Sequence, residues 1–385
     1  MRARVGIGKA RGRVTAPPSK SYAHRMLIAA ALYRDECEVA NVAFSDDINR
    51  TLDCLAALGC SFETDGANVL FHGRKPLVPG TEIILPCGES GSTLRFMIPI
   101  ALALGGKFLF TCSERLCERG IDGYAELFRE NSISCTATEE GFRLSGILKP
   151  GCFKVDVSSS SQYLSGLMMA LPLLGKGSRI ETAGDLESSS YVDITQDVMR
   201  IASLPSSRLE VEGDWSNAAF LEAFNLIDGK VEVEGLNPGS LQGDRRYREF
   251  FKELSEGFAH IDISDNIDLG PVLFSLAALL HGAEFTGTRR LAFKESDRAK
   301  AMLAELARFG VRSELENDRV TIHKSTLHAP DGPLEGHNDH RIVMALCLPL
   351  SIFGGSIEGA EAVSKSFPDW FETLEKLGIK TEKTI

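Results

Sequence analysis

Six times along this chain a polar turn opens an apolar helix, which breaks near a glycine or polar turn and runs on into a β-rich strand. The apolar stretches begin at Arg25, Arg95, Tyr163, Asn217, Gly270 and Arg341, at intervals of 70, 68, 54, 53 and 71 residues. A second, more amphipathic helix follows in most repeats and leads into paired strands. Examples are Leu52–Leu58 before Gly59, Tyr124–Arg129, and Ala301–Phe309 before Gly310. Each repeat is therefore predicted to be a β-α-β-α-β-β module. The third is shortened, because Gln196 to Val211 leaves no room for a hairpin.

The opening helices are apolar on nearly every face, so they belong inside, with the sheets outside them. Split three and three, they predict two similar α/β domains. Three parallel helices in a domain would bring their N-termini, each carrying roughly +0.5 of a charge, to one end. Two such ends facing each other would form a cleft attractive to anions.

The chain holds 42 Lys and Arg against 53 Asp and Glu, a net charge of −11, which argues against nucleic acid or an anionic membrane as general partner. Clustered cations in so acidic a chain point to a local anionic ligand. The nine cysteines are irregularly spaced with no C-x-x-C pair, which predicts reduced thiols rather than a disulfide frame. No apolar run is long enough to span a membrane, and basic Met1–Arg13 lacks a signal core. A cytoplasmic, monomeric enzyme is the expectation.

The polar turns carry the chemistry. Pro17 and Pro18 deliver an extended chain into Ser19-Lys20-Ser21, with Arg25 one turn later. Taken alone this is either an N-cap serine beside solvated cations or a helix start furnished for a phosphate ester, and the repeats of the arrangement favour the second. In the second turn, Glu89 to Arg95, Gly91 allows close approach to the backbone, and Arg119 follows after the next strand. The third is a hydroxyl row, Ser158–Ser161 with Gln162, later joined by Ser188 and Tyr191. A flexible linker is the plainer meaning of a serine row, but this one lies between a strand and an apolar helix. The fourth, around Asp214, carries no cation and suits a simple cap; Asp268 in the fifth also stands where caps stand. The sixth is His337-Asn338-Asp339-His340-Arg341, whose two histidines lack a third ligand at a sensible spacing, so no metal is expected. Lys294, Glu295, Arg298 and Lys365 complete the set.

Taken in order, PPSKSYAHR, ESGSTLRF, ERGIDG, SSSSQYLSGL, SSSYVDIT, EGDWSNAAFL, LQGDRRY, FKESDRAK, HNDHR and KSFPDWF resemble the 5-enolpyruvylshikimate-3-phosphate synthase family over almost the whole chain. The resemblance implies a two-domain inside-out α/β barrel of six modules, one domain formed by 13–212 and the other by 1–12 with 213–385, the active site in the cleft between them. It implies transfer of the enolpyruvyl group of phosphoenolpyruvate to the 5-hydroxyl of shikimate 3-phosphate, without cofactor. Shikimate 3-phosphate would be held by Lys20, Ser21, Arg25, Ser160, Ser161, Gln162, Ser188, Tyr191, Asp268 and Lys294. Phosphoenolpyruvate would be held by Lys20, Gly91, Arg119, Gln162, Arg298, Arg341 and Lys365. Catalysis would fall to Lys20, to Asp268 as base and to Glu295 as proton donor.

Two departures stand out: Glu89 where the family has Asn, and Arg290-Leu291-Ala292 where it has Asn-x-Arg. The related transferase acting on a UDP-sugar carries a cysteine in the loop ahead of the arginine equivalent to Arg119, but Cys112 and Cys117 are not at that spacing. A non-catalytic scaffold would not need Asp268 and Glu295.

Overall fold

The computed structural model describes residues 1–384, and the chain divides at Pro17/Pro18 and Glu212/Gly213 into a middle unit and a terminal unit built from both ends. Residues 13–17 fall in the terminal unit because strand Arg11–Thr15 pairs in parallel with Lys230–Glu234.

In the middle unit one sheet runs Arg208–Glu210, Cys37–Ala40, Asn68–Arg74, Cys60–Asp65, and a second runs Glu82–Gly88, Gly106–Cys112, Gly141–Gly146, Ser134–Thr138. The third has two parallel strands, Cys152–Asp156 and Arg179–Ala183. In each four-stranded sheet the first pair is parallel and the rest antiparallel. In the second sheet the parallel pair needs a crossover, and an apolar helix supplies it: Gly91–Leu104 joins Glu82–Gly88 to Gly106–Cys112.

The terminal unit repeats this inventory. Its sheets run Ala259–Asp262, Gly282–Thr286, Arg319–His323, Arg312–Glu316, and Leu334–Glu335, Gly355–Glu358, Arg2–Val5, Thr381–Thr384; the pair Lys230–Glu234 with Arg11–Thr15 is the third. The fourth module is thus as short as the third. Its helix Tyr247–Glu256 passes straight to the next sheet, which explains the interval of 53 residues.

The module-opening helices form the core of each unit. His340–Phe353 buries twelve of its fourteen residues, and Lys20–Tyr33 buries ten of fourteen. At roughly 1.5–3 kcal/mol for each buried Leu, Ile, Met or Phe, only an interior position suits such helices. Gly91–Leu104 and His340–Phe353 both end on a glycine, Gly105 at φ 74° and Gly354 at φ 69°, a conformation that a Cβ would strain. Among the described residues no helix is long and apolar enough to cross a membrane.

One cysteine expectation needs correcting. Cys112 and Cys117 form a disulfide, while Cys37, Cys54, Cys60, Cys87, Cys135, Cys152 and Cys347 are free thiols. Cys112 ends a strand and Cys117 lies on the short helix Glu114–Arg119, which brings their Cα atoms to 6.2 Å, within bonding range. Irregular spacing in sequence did not reveal that the turn between strand and helix folds them together.

Candidate active site

The middle unit gathers helix N-termini around two arginines. Ser19 caps Lys20–Tyr33, its hydroxyl accepting from the Tyr22 N–H at 3.5 Å, and Lys20 Nζ lies 2.5 Å from Asp47 Oδ2. Arg25, only 3% exposed, donates from Nε to Thr195 Oγ1 at 2.7 Å and from Nη1 to the Ser21 carbonyl at 2.8 Å. Its Nη2 reaches the Tyr191 carbonyl at 3.1 Å and Ser165 Oγ at 3.3 Å. All four acceptors are neutral oxygens. Burial lowers Arg25 to about 10, opposed by Tyr191 and Tyr22. A buried cation held by neutral acceptors favours an arriving anion.

Ser161 stands at the cap of helix Gln162–Leu174, and Ser160 Oγ accepts from the Gln162 N–H at 3.2 Å. Ser188, buried at φ 57°, precedes Ser189, the cap of the helix Ser190–Ala202 that carries Tyr191 and Thr195.

The second arginine is Arg95. Its Nη1 donates to Gln162 Oε1 at 3.0 Å, its Nη2 to the Gly120 carbonyl at 3.2 Å, and Gln162 Nε2 donates to Ser92 Oγ at 3.0 Å. Gly91 lies against the guanidinium groups: an added Cβ would sit 2.9 Å from both Arg119 Nη2 and Arg95 Nη1. Only hydrogen fits there without moving both arginines.

A buried polar chain ties these two groups together. His24 Nδ1 pairs with Thr51 Oγ1 at 2.7 Å, Thr51 with Thr93 Oγ1 at 2.8 Å, and Thr93 with Ser90 Oγ at 2.7 Å. It links the helix bearing Arg25 to the cap of the helix beginning at Gly91. Burial, then Lys20 and Arg25, hold His24 well below its ordinary value, so it is a neutral member.

The terminal unit makes a different cluster, centred on Asp268 in the turn before helix Gly270–Leu279. Lys294 Nζ lies 3.0 Å and Arg298 Nη1 2.7 Å from Asp268 Oδ1, with Arg341 Nη2 3.2 Å from Oδ2. Arg298, 1% exposed, also pairs with Glu295 at 2.7 Å and with Asp339 at 2.8 Å. Asp339 caps His340–Phe353 by accepting from the Arg341 N–H at 3.0 Å, so one carboxylate fixes both arginines. Arg341 Nη1 donates to Ser216 Oγ at 2.7 Å, which joins the N-termini of three helices. Lys365 Nζ donates to the Asn338 carbonyl at 2.5 Å.

These charges tune one another. Burial pushes Asp268 up, but Arg341, Lys294 and Arg298 together outweigh it and hold the carboxyl well below the usual range. Burial lowers Lys294 against the pull of Asp268. Asp244, buried behind them, is raised to about 6 by burial and by Asp268, against Arg341 and hydrogen bonds from Ser216 and Asn266.

Within the middle unit the structure brings Ser21, Tyr191 and Arg25 together, and Gln162 and Gly91 to Arg95 and Arg119. Within the terminal unit it gathers Asp268, Glu295, Lys294, Arg298 and Arg341. His337 faces Glu305 at 3.0 Å rather than sharing a site with His340. Arg290 is buried, donating to the Ser264 carbonyl at 2.6 Å. Sequence reasoning missed Thr195, Ser165, Thr51, Ser216 and Asp244; in Asp339 it missed the anchor shared by two arginines. The only available signal was polarity at helix positions that face a core.

The chain and its fold have counterparts. A profile of the EPSP synthase (3-phosphoshikimate 1-carboxyvinyltransferase) family matches residues 5–374. The 3-phosphoshikimate 1-carboxyvinyltransferase of Clostridium kluyveri is 36% identical over 411 positions, covering 96% of each chain. That of Clostridium acetobutylicum is 34% identical, covering 96% of this chain and 95% of its own. The structure of EPSP synthase from Acinetobacter baumannii superposes with a TM-score of 0.76 at 21% identity, over 99% of this chain and all of that one, and so shares the inside-out α/β barrel fold. With near-complete coverage at this identity, the chain belongs to the EPSP synthase family, the 3-phosphoshikimate 1-carboxyvinyltransferases, which transfer the enolpyruvyl group of phosphoenolpyruvate to shikimate 3-phosphate.

Proposed function

We propose that the two clusters divide the work of that reaction. The middle unit binds shikimate 3-phosphate through Lys20, Ser21, Arg25, Ser160, Ser161, Gln162, Ser188 and Tyr191, assisted by Asp268 and Lys294. Phosphoenolpyruvate is taken by Lys20, Gly91, Arg119 and Gln162 together with Arg298, Arg341 and Lys365. Two phosphates and two carboxylates then share one site, and a guanidinium set of this density offsets their repulsion.

The carrying observation is Asp268 bound to Lys294, Arg298 and Arg341 while Glu295 is bound to Arg298. In that state Asp268 is a poor base. Once Arg298 and Arg341 turn to the anionic substrate, Asp268 loses two of its cations and gains proton affinity. Glu295 protonates the methylene carbon of phosphoenolpyruvate, and the 5-hydroxyl oxygen bonds to the adjacent cationic carbon as its proton passes to Asp268. The carbon–oxygen bond to phosphate then breaks, the departing phosphate takes up the proton held by Asp268, and Glu295 recovers the methyl proton to restore the double bond. Such acid–base groups contribute typically 10²–10⁴-fold.

Purified protein should release phosphate from shikimate 3-phosphate plus phosphoenolpyruvate. Release with UDP-N-acetylglucosamine in place of shikimate 3-phosphate would assign it to the other transferase. The same reading makes the protein a cytoplasmic monomer; sedimentation tests its oligomeric state.

A further inference from the structure

His337 and Asn338 are consecutive non-glycine residues in the left-handed region, both at φ 51°. Such positions are costly for L side chains and persist only where the surroundings enforce them. Here the turn is gripped twice by one helix, Arg298–Ala307. At its start Arg298 holds Asp339, and two turns on Glu305, 5% exposed, holds His337 Nε2 at 3.0 Å. The other Glu305 oxygen accepts from the Glu335 N–H at 3.1 Å, and Glu335 Oε1 accepts from the His337 N–H at 3.2 Å. Arg308 Nη1 lies 3.6 Å from Glu305 Oε2. Between the two grips the Asn338 carbonyl faces Lys365 Nζ at 2.5 Å.

We propose that His337 is a positioning residue for phosphoenolpyruvate binding: fastened to Glu305, it holds the left-handed turn whose Asn338 carbonyl fixes the Lys365 ammonium. Asp339 and Arg341, on the other side of the turn, are fixed independently by Arg298 and Asp268, so His337 acts on Lys365 selectively. The inference rests on Lys365 taking phosphoenolpyruvate.

The test uses the full chain and steady-state kinetics with each substrate varied. His337→Asn tolerates positive φ but cannot reach Glu305, whereas His337→Gln keeps a donor at that distance. His337→Asn should raise KM for phosphoenolpyruvate roughly tenfold, the size of a lost charged hydrogen bond, with kcat and KM for shikimate 3-phosphate unchanged. His337→Gln should restore most of the loss. On a Lys365→Met background His337→Asn should add nothing; a purely structural role would give additive losses. If Lys365→Met raises KM for phosphoenolpyruvate and His337→Asn does not, or if His337→Asn raises both KM values equally, the inference alone falls. If Lys365→Met itself leaves KM unmoved, the reading of Lys365 falls and the inference with it. Thermal unfolding of each variant separates either outcome from misfolding.

Discussion

In the middle unit Arg25 and Arg95 donate to hydroxyl, carbonyl and amide oxygens, whereas in the terminal unit Lys294, Arg298 and Arg341 converge on carboxylates. Both units place cations at the N-termini of buried helices. What differs is what balances the arginines, since Lys20 of the middle unit also meets a carboxylate, Asp47. Neutral acceptors orient a guanidinium without cancelling its charge, leaving the attraction for a ligand. Carboxylates cancel it, and in exchange become groups whose proton affinity depends on where the cations point. On the proposed division of labour, the first arrangement suits an anion receptor and the second a proton-handling centre.

The largest effect that could break this division is on kcat. Glu295→Gln or Asp268→Ala should each lower kcat by about 10²–10⁴-fold with the fold intact by circular dichroism. A variant retaining wild-type turnover would remove proton handling from the terminal unit. Next come the receptors. Arg25→Ala should weaken shikimate 3-phosphate binding by about 10–100-fold, as expected for lost charged hydrogen bonds. Arg119→Ala should fall mainly on phosphoenolpyruvate; calorimetric titration of each ligand reads the split, and equal losses would contradict it. Gly91→Ala should be milder, raising KM for phosphoenolpyruvate several-fold, because its Cβ would stand 2.9 Å from Arg119 and Arg95 and push both aside.

The smallest effect sharpens the electrostatic half of the comparison. Asp244 lies at about 6 in the folded chain and at about 3.9 when unfolded, so the folded state binds the extra proton between those values. Its contribution to stability is present below about pH 4 and is lost as pH rises through 6. Asp244→Asn should therefore gain in Tm relative to wild type between pH 4 and pH 7. A constant difference across that range would show that neither burial nor Asp268 raises this carboxyl.

Much of this was readable beforehand, for identifiable reasons. The module-opening helices are apolar on every side, so only an interior position suits them. Lys20, Arg25, Arg95, Asp268 and Arg341 advertise themselves by interrupting that pattern at helix starts. Thr195, Ser165 and Thr51 do not. A hydroxyl one or two turns inside a helix carries no mark telling a guanidinium acceptor from a solvated side chain. Asp244 was hidden because its role depends on packing against Asp268, and the Cys112–Cys117 disulfide because a turn creates it. The short fourth module was present in the 53-residue interval, but only the strand pairing shows that Arg11–Thr15 completes its sheet.

The pairing of Arg2–Val5 with strands from the far end of the chain bears on synthesis on the ribosome. Arg2–Val5 waits for Gly355–Glu358 and Thr381–Thr384, while every strand of the middle unit lies within residues 18–212. At roughly 5–20 residues per second the leading strand emerges about 20–70 seconds before its neighbours exist. The interior segment can finish folding while the leading end is still an unsatisfied edge, exposed to chaperones and to neighbouring nascent chains. A circular permutant opened between Glu212 and Gly213 would join the two ends and shorten that delay, which pulse proteolysis of stalled chains would record.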